Sequence, residues 1–460
     1  MTKLREKCGV FCVQGHVNAV ETTVIGLKAL QHRGHESFGI FTFTNSEPVF
    51  FHEKGYVRYV EHDFSNTRAI GHVRYSTSGS EESIFPQPAS FKIDGKYVAL
   101  SYNGNIVNTD QLHSYLYKNN DTILSSDIDS EIFVSLLVHS KADTLEEKIQ
   151  SSFQYVQGAF SIAILTGDSI IAVRDVQGIR PLVIGKKDGS YAIASETCAL
   201  HTLNMDFIRD VLPGEILTIK TDNTMHSIFL PNAYALAKMC VFEYIYFARP
   251  DSTLENLNVY NTRKNIGVLL AQIYQLSADM VIPMPDSGIA TALGYSQASN
   301  IPIEFAIVKN SYVGRTFIDP NDKQKALSVK LQINRSVIHN KKVIIVDDSI
   351  VRGNTMKAIS QMLKQADAQE IHLIISSPAI RHSCFYGIDT PNTEELISNS
   401  LCSEKLAEYL GITSVKFLPI ELLYRALGYS FHKTNRRFCD ACFTGDYSIE
   451  KDNNLLANLE

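Results

Sequence analysis

The sequence predicts two unlike halves: a layered α+β half over residues 8–235 and an α/β half with a parallel sheet over residues 236–460. Three observations predict this. Before residue 235, strand patterns give way to helical patterns and then to strand patterns again, the order of a layered domain rather than a doubly wound one. After residue 235, short apolar strands alternate with helical runs, the order of a parallel sheet with right-handed crossovers. Third, residues 342–355 read KVIIVDDSIVRGNT. This is a β-branched apolar run of the kind buried on both faces, ending in two carboxylates, a small polar loop and a helical pattern.

The chain has 460 residues, enough for two or three domains at a prior of about 150 residues each. Hydrophobic residues make up 45% and charged residues 20%, which fits a globular enzyme, and the formal net charge of −6 argues against nucleic acid as the main partner. No apolar run of about 18 residues appears, so no membrane span is predicted. Residues 1–7 have no apolar core, so no secretory signal is read there and a cytoplasmic location is expected. The eight cysteines of such a chain are expected to be catalytic, metal-binding or buried rather than disulfide-bonded.

In the first half, Cys8-Gly9-Val10-Phe11-Cys12-Val13 reads as a strand and 19–30 as a helix. Strands are expected near 38–43, 69–75 and 97–102, and helices near 109–117, 126–139 and 145–155. From 159 to 219, short strands are separated by turn signals such as Asp188-Gly189 and Pro213-Gly214. In the second half, 238–251 reads as a strand and 261–275 as a helix. A short buried strand at 280–283 precedes a helical run to about 298, and another strand is expected at 303–307. The polar stretch 310–340 is long for a structureless loop and reads as a lid. A helix over 355–366 and a strand over 371–376 follow, and the tail from 448 is poorly patterned.

Two constellations carry chemistry. A thiol near the amino end, Cys8, becomes an activated nucleophile if a leader is removed, because its own α-amine can then serve as base. Around it stand His32-Arg33-Gly34, an arginine at a strand end in Gly71-His72-Val73-Arg74, and Tyr102-Asn103-Gly104-Asn105, a turn able to present an amide side chain and a backbone N–H together. In the second half, ligands of open parallel sheets sit beyond the carboxyl ends of strands. A loop entering a helix N-terminus offers N–H groups to a phosphate, and Asp347 and Asp348 can accept from sugar hydroxyls or hold Mg²⁺. Together these point to a phosphorylated sugar.

Cys8-Gly9-Val10, His32-Arg33-Gly34, 71–77, Asn103-Gly104-Asn105 and Ser126-Asp127 resemble the glutamine amidotransferase domain of the N-terminal-nucleophile class, whose fold is a four-layer αββα sandwich. The resemblance implies that Cys8 attacks the side-chain amide of glutamine. It implies that Asn103 and the N–H of Gly104 hold the oxyanion, and that Arg74 and Asp127 bind the α-carboxylate and α-ammonium. Residues 343–355 resemble the signature of type I phosphoribosyltransferases. With Pro283-Met284-Pro285-Asp286-Ser287-Gly288 and 312–318, the whole chain from Cys8 to about 447 resembles the glutamine-dependent phosphoribosyl pyrophosphate amidotransferases. That family makes phosphoribosylamine, glutamate and pyrophosphate at the committed step of purine biosynthesis.

The same resemblance implies further roles. Asp347 and Asp348 bind the ribose hydroxyls and, with Ser287, surround one Mg²⁺. Ser349, Arg352, Gly353, Asn354 and Thr355 cradle the 5′-phosphate, while Asp286, Ser287 and Gly288 approach the pyrophosphate and 312–318 closes over the substrate. Lys330 is one candidate for a pyrophosphate contact. Cys439-Asp440-Ala441-Cys442 alone is compatible with zinc, redox chemistry or neither. One branch of the family, however, binds a [4Fe–4S] cluster through thiolates matching Cys240, Cys384, Cys439 and Cys442. That branch also carries a short propeptide, which residues 1–7 would form. Family members are homotetramers inhibited by purine nucleotides. Two other readings remain: a regulator that binds phosphoribosyl pyrophosphate without catalysis, and a different glutamine amidotransferase. The intact nucleophile set disfavours the first, and the phosphoribosyl motif the second. Cys12 is read as core, Cys198 and Cys402 as core or surface, and the turn Arg174-Asp175-Val176-Gln177-Gly178-Ile179-Arg180-Pro181-Leu182 is given no catalytic role.

Overall fold

A computed structural model describes residues 5–6, 8–62, 64–75, 87–120, 129–231, 233, 237–310, 330–434 and 436–449. In the first half the described strands build two antiparallel sheets. One runs in the order Asp206–Asp210, Val183–Lys187, Ser190–Ala194, Cys8–Gln14, Arg68–Arg74, Ser37–Thr44, Glu47–Lys54. The other runs Met225–Phe229, Glu215–Lys220, Ser169–Arg174, Gly158–Leu165, Lys96–Ile106, Ala89–Ile93.

Strand alternation makes the layers. Val10 and Cys12 pack with Ala163, Leu165 and Leu217 of the opposite sheet. Phe11 and Val13, one position out of phase, pack under the helix Ala19–Ala29 with Val20, Val24 and Leu27. On the far side, Thr109–Asn120, Asp129–His139 and Leu145–Phe153 cover the second sheet. Phe133 meets Phe153 and Phe160 there at centroid distances of 4.8 and 5.4 Å, pairs worth about 0.5–1.5 kcal/mol each beyond their burial. A capping box between Thr144 and Glu147 starts the last of these helices. The result is the expected αββα sandwich. The helix expected from 126 is described from Asp129.

The second half holds a parallel sheet in the order Met280–Pro283, Lys342–Asp347, Glu370–Ile375, Ser414–Phe417. Its residues alternate between two cores. Val281, Ile344, Val346 and Ile374 face the side of helices Val259–Ile273 and Ile289–Ser299. Ile282, Val343, Ile345 and Leu373 face helices Asn354–Gln365 and Ser403–Leu410. Both faces are covered, as the apolar run at 343–346 requires.

Two expectations fail here. The strand expected over 238–251 is limited to Met239–Cys240, and Glu243–Phe247 is a π-helical turn. Aromatic and β-branched residues gave it a strand pattern, but tertiary contacts decide its form. Glu243 is buried against Arg33 (2.7 Å) and Arg180 (3.3 Å). The Tyr244 and Ala248 carbonyls, which a strand would offer to a neighbour, each accept from Arg263 at 2.8 Å. The strand expected over 303–307 is reduced to a bridge between Ile303 and Val281, while Ile307–Lys309 pairs antiparallel with Leu331–Ile333 at the foot of the predicted lid.

A buried ionic cluster joins the halves. Glu196 accepts from His32 at 2.6 Å, from Ser252 Oγ at 2.6 Å and from Arg33, whose other nitrogens reach Glu243. Burial alone would raise the Glu196 carboxyl, but the Arg33 charge and the His32 and Ser252 hydrogen bonds outweigh it and hold the group well below the usual carboxylate range.

Candidate active site

Cys8 opens its strand and is 8% exposed. It shares the parity of Val10 and Cys12, so it faces the second sheet at the mouth of the sandwich. Its register partner across the antiparallel pair is Arg74, and Arg74 is also paired with Ser37 on its other side. The backbone therefore fixes thiol and guanidinium as neighbours.

The second sheet brings Tyr102-Asn103-Gly104-Asn105 to the same mouth. His72 ties the sheets together just before this turn, with its ring Nε2 3.0 Å from the Tyr102 carbonyl. Burial lowers the His72 pKa to about 3, so the ring is neutral and donates to that carbonyl. Tyr102 in turn donates to Asp129 at 2.5 Å, and Asp129 accepts from the Ile106 N–H at 2.9 Å. Asn103 is fully buried, and neither atom of its side-chain amide has a hydrogen-bond partner among the described residues. Such an orphan costs about 1–3 kcal/mol, which a native fold retains where a ligand completes the bonds. Gly104 has φ +154°, and a Cβ there would lie 1.9 Å from the Ala159 carbonyl oxygen, so only glycine fits. Asp127 lies outside the described residues.

In the second half, Asp347 closes its strand and Asp348 follows, at 4% and 2% exposure. The Asp348 N–H donates to the Asp347 carboxylate at 2.9 Å, and Ser349 Oγ donates to that of Asp348 at 2.7 Å. Gly353 turns the chain at φ +75° into the helix Asn354–Gln365. A pocket lined by Asp347 and 349–356 opens there, over the first N–H groups of that helix. The 284–288 loop lies against the same strand end. The Met284 N–H donates to the Val346 carbonyl at 2.9 Å, and a Cβ on Gly288 would stand 2.2 Å from that oxygen. The structure thus brings Asp286, Ser287 and Gly288 beside Asp347 and Asp348. The Asp286 carboxylate pairs with Lys309. The Arg352 side chain turns to Glu395 at 2.6 Å, which leaves its backbone, not its guanidinium, to the pocket. Lys330 stands at the foot of the lid, its carbonyl accepting from Asn310 at 2.9 Å. Residues 312–318 lie outside the described residues.

The four candidate cluster cysteines come from three segments that meet. Cys240 and Cys439 are register partners in parallel strands. The Cys442 carbonyl accepts from Arg381 and His382 at 3.0 and 3.1 Å, which brings the Cys384 segment alongside. Burial pushes the Cys442 thiol up, and the charges of Cys240, Cys384 and Cys439 push it further. Burial and Cys384 push Cys439 up to about 12. Among the described residues no three His, Cys, Asp or Glu side chains already converge as for a single metal ion. Cys12 is core, as expected; of the two cysteines left open, Cys198 is buried and Cys402 exposed.

Two family models match the chain: a glutamine amidotransferase domain over residues 72–202 and a phosphoribosyl transferase domain over 256–381. An amidophosphoribosyltransferase of Bacillus subtilis is 41% identical over 97% of this chain and 95% of its own length. The chain belongs to the amidophosphoribosyltransferase family. The amidophosphoribosyltransferase of Methanocaldococcus jannaschii is 38% identical over 96% of this chain and 98% of its own. Among solved structures, an allosteric regulatory enzyme of purine biosynthesis matches with a TM-score of 0.90 at 39% identity, covering 97% of each chain. The glutamine phosphoribosylpyrophosphate amidotransferase of B. subtilis, complexed with ADP and GMP, matches at 0.89 and 39% identity over 98% of this chain and all of its own.

Sequence reasoning missed several residues of this amidophosphoribosyltransferase fold. Glu196 and Glu243 carried no signal, since isolated acids in a sequence read as surface groups. Arg180 sat in a turn that was read as structural only. Asn105 stood in a recognised motif, but its partner, the Phe385 carbonyl, lies 280 positions away.

Proposed function

We infer that this chain hydrolyses glutamine in its first half and delivers the ammonia to phosphoribosyl pyrophosphate in its second, giving 5-phosphoribosylamine, glutamate and pyrophosphate at the first committed step of purine synthesis. The observation that carries this is the buried Asn103 amide beside Gly104, without a hydrogen-bond partner among the described residues, on a chain that also places two buried carboxylates at a pocket lined by the start of a helix.

In this reading, Cys8 adds to the side-chain carbonyl of glutamine, and the proton of the thiol passes to its own α-amine once 1–7 are removed. The amide of Asn103 and the N–H of Gly104 hold the oxyanion, contacts of the kind worth roughly 3 kcal/mol each in the transition state. On collapse the Cys8 α-ammonium returns that proton to the leaving nitrogen, so ammonia is released and a glutamyl thioester remains for water to hydrolyse. Arg74 pairs with the α-carboxylate and Asp127 with the α-ammonium. Ammonia is kept from water because a protonated ammonium has no lone pair for C1 of the ribose. Asp347 and Asp348 hold the 2′- and 3′-hydroxyls, and the N–H groups of 349–355 hold the 5′-phosphate, with Thr355 assisting.

Mg²⁺ fits beside Ser287, Asp347 and Asp348, because that ion takes one or two carboxylates and completes its shell with water and substrate phosphates; bound there it supplies charge to the departing pyrophosphate. Cys240, Cys384, Cys439 and Cys442 would hold a [4Fe–4S] cluster as thiolates, and bound there it would pin the 439–442 segment to the rest of the second half. We further propose the propeptide 1–7, a homotetramer, feedback inhibition by purine nucleotides and a cytoplasmic location. The relative solved with ADP and GMP supports the nucleotides, and no described helix is long and apolar enough to cross a membrane.

The test is pyrophosphate release from phosphoribosyl pyrophosphate under anaerobic conditions, with glutamine or with ammonia. Release with both supports the reading; release with neither, in protein loaded with iron and Mg²⁺, overturns it.

A further inference from the structure

Among the described residues, the second half meets the turn at Asn103-Gly104-Asn105 through a short segment, 385–387, which directly follows Cys384. Asn105 Nδ2 donates to the Phe385 carbonyl at 3.0 Å and to the Ile106 carbonyl at 3.1 Å. Gly387, at φ +102°, lies flat on the Gly104 peptide. A Cβ there would stand 3.0 Å from the Gly104 carbonyl carbon and 3.1 Å from its oxygen. Gly104 is thereby held from two sides, by Gly387 of the second half and by the Ala159 carbonyl of its own sheet.

The segment is itself pinned. The Tyr386 carbonyl accepts two bonds from Arg180, at 3.1 Å from Nε and 2.9 Å from Nη2. Arg180 is fully buried and paired with Glu243 at 3.3 Å. On its far side, Tyr386 Oη donates to the Ile449 carbonyl at 3.1 Å. Arg180 keeps its charge paired with Glu243, and drift of the segment would strip this buried guanidinium of two hydrogen bonds.

We propose that residues 385–387 are the positioning element of the oxyanion turn, with Asn105 and Gly387 acting through Gly104 and Asn103. The proposal rests on the reading of Asn103 and Gly104 as oxyanion donors. An oxyanion donor works only when aimed within tenths of an ångström before the charge develops. Asn105 fixes the peptide plane that follows Gly104, and Gly387 fixes its height above Ala159. The second half thus governs the rate of glutamine hydrolysis with no contact to glutamine from this segment.

The experiment uses the iron-loaded protein with 1–7 removed, confirmed by intact mass, and the variants Asn105→Ala, Asn105→Asp, Gly387→Ala and Asn105→Ala/Gly387→Ala. Steady-state glutaminase and ammonia-dependent synthesis are measured in each. Asn105→Asp keeps the shape but loses the donor. Both Asn105 variants and Gly387→Ala are expected to lower glutaminase kcat by about 10- to 100-fold, the cost of a small misplacement. KM for glutamine and ammonia-dependent kcat should stay within about 3-fold, and the double variant should fall less than the product of the singles. A rise in KM at unchanged kcat, a parallel loss of ammonia-dependent synthesis, or independent effects in the double variant would each overturn the proposal. Asn103→Ala is the separate control: if it keeps full glutaminase kcat, the oxyanion assignment itself fails, whatever Asn105 does.

Discussion

Cys8 and Arg74 face one another as register partners across two antiparallel strands, the first residue of one against the last of the other. The distance between nucleophile and guanidinium is therefore set by the sheet rather than by a loop. Glutamine has its reacting amide at one end and its α-carboxylate at the other, and in the proposed reaction this pair would bracket both. Replacing Arg74→Ala removes a charge-assisted contact worth about 1.5–3 kcal/mol. The expected result is a rise in KM for glutamine of about 10- to 100-fold, with ammonia-dependent synthesis unchanged. Steady-state kinetics with both nitrogen sources checks it, and an unchanged KM would remove Arg74 from the site.

Cys8→Ala should abolish glutaminase and glutamine-dependent synthesis while keeping synthesis from added ammonia. Equal loss of both would argue against two separate sites. The α-amine of Cys8 is free only after cleavage, so intact-mass measurement of active protein should show a chain beginning at Cys8. Full activity in protein still beginning at Met1 would refute the leader.

Asp347 and Asp348 are joined by a hydrogen bond from the backbone of the second to the carboxylate of the first. Asp347→Asn with Asp348→Asn keeps that shape and removes both charges. Synthesis from either nitrogen source should fall at least about 100-fold, the scale of losing two charged contacts to substrate, while glutaminase without the second substrate should persist. Retained synthesis would refute the ribose assignment.

Glu196 is buried between His32, Arg33 and Ser252. Its folded-state pKa is depressed below the ordinary value of 4.5, so it contributes stability fully above that pH and loses it as pH falls below. Glu196→Gln should destabilise the protein by about 3–5 kcal/mol at neutral pH, because Arg33 keeps a buried charge short of its partner. Urea unfolding at pH 7 and pH 4 should show the wild-type advantage shrinking at the lower pH. An equal advantage at both would contradict the assignment.

Cys439 is the register partner of Cys240, and removing it breaks the set at its centre. Cys439→Ser should lower bound iron to well under four per chain and reduce the melting temperature, both read without any activity assay. Unchanged iron content would point to other ligands, and stoichiometric zinc in the anaerobically purified wild type would replace the cluster reading.

How much of this was legible depends on whether a signal is local. The layered α+β half was legible from its order of strand and helix patterns, while the four-layer αββα arrangement was implied only by the family resemblance; within the strand at Cys8, parity alone puts Val10 and Cys12 on one face and Phe11 and Val13 on the other. The phosphate loop follows from an apolar run, two acids and a glycine that only a left-handed turn requires, Gly353 at φ +75°. The segment 238–251 misled because its aromatic pattern suits a strand equally well, and the deciding contacts come from Arg33, Arg180 and Arg263 elsewhere in the chain.

The sequence by itself pointed to the two chemistries, through the resemblance carried by the motifs around Cys8, Asn103-Gly104 and Asp347-Asp348. Only the tertiary structure decided how these parts are held. It set Arg74 opposite Cys8, left the Asn103 amide without a hydrogen-bond partner among the described residues, and laid Gly387 on Gly104. The physical reason is that burial turns an ordinary arginine, glutamate or asparagine into a group that must find one particular partner. In this chain those partners lie as far as 280 residues away, as between Asn105 and Phe385.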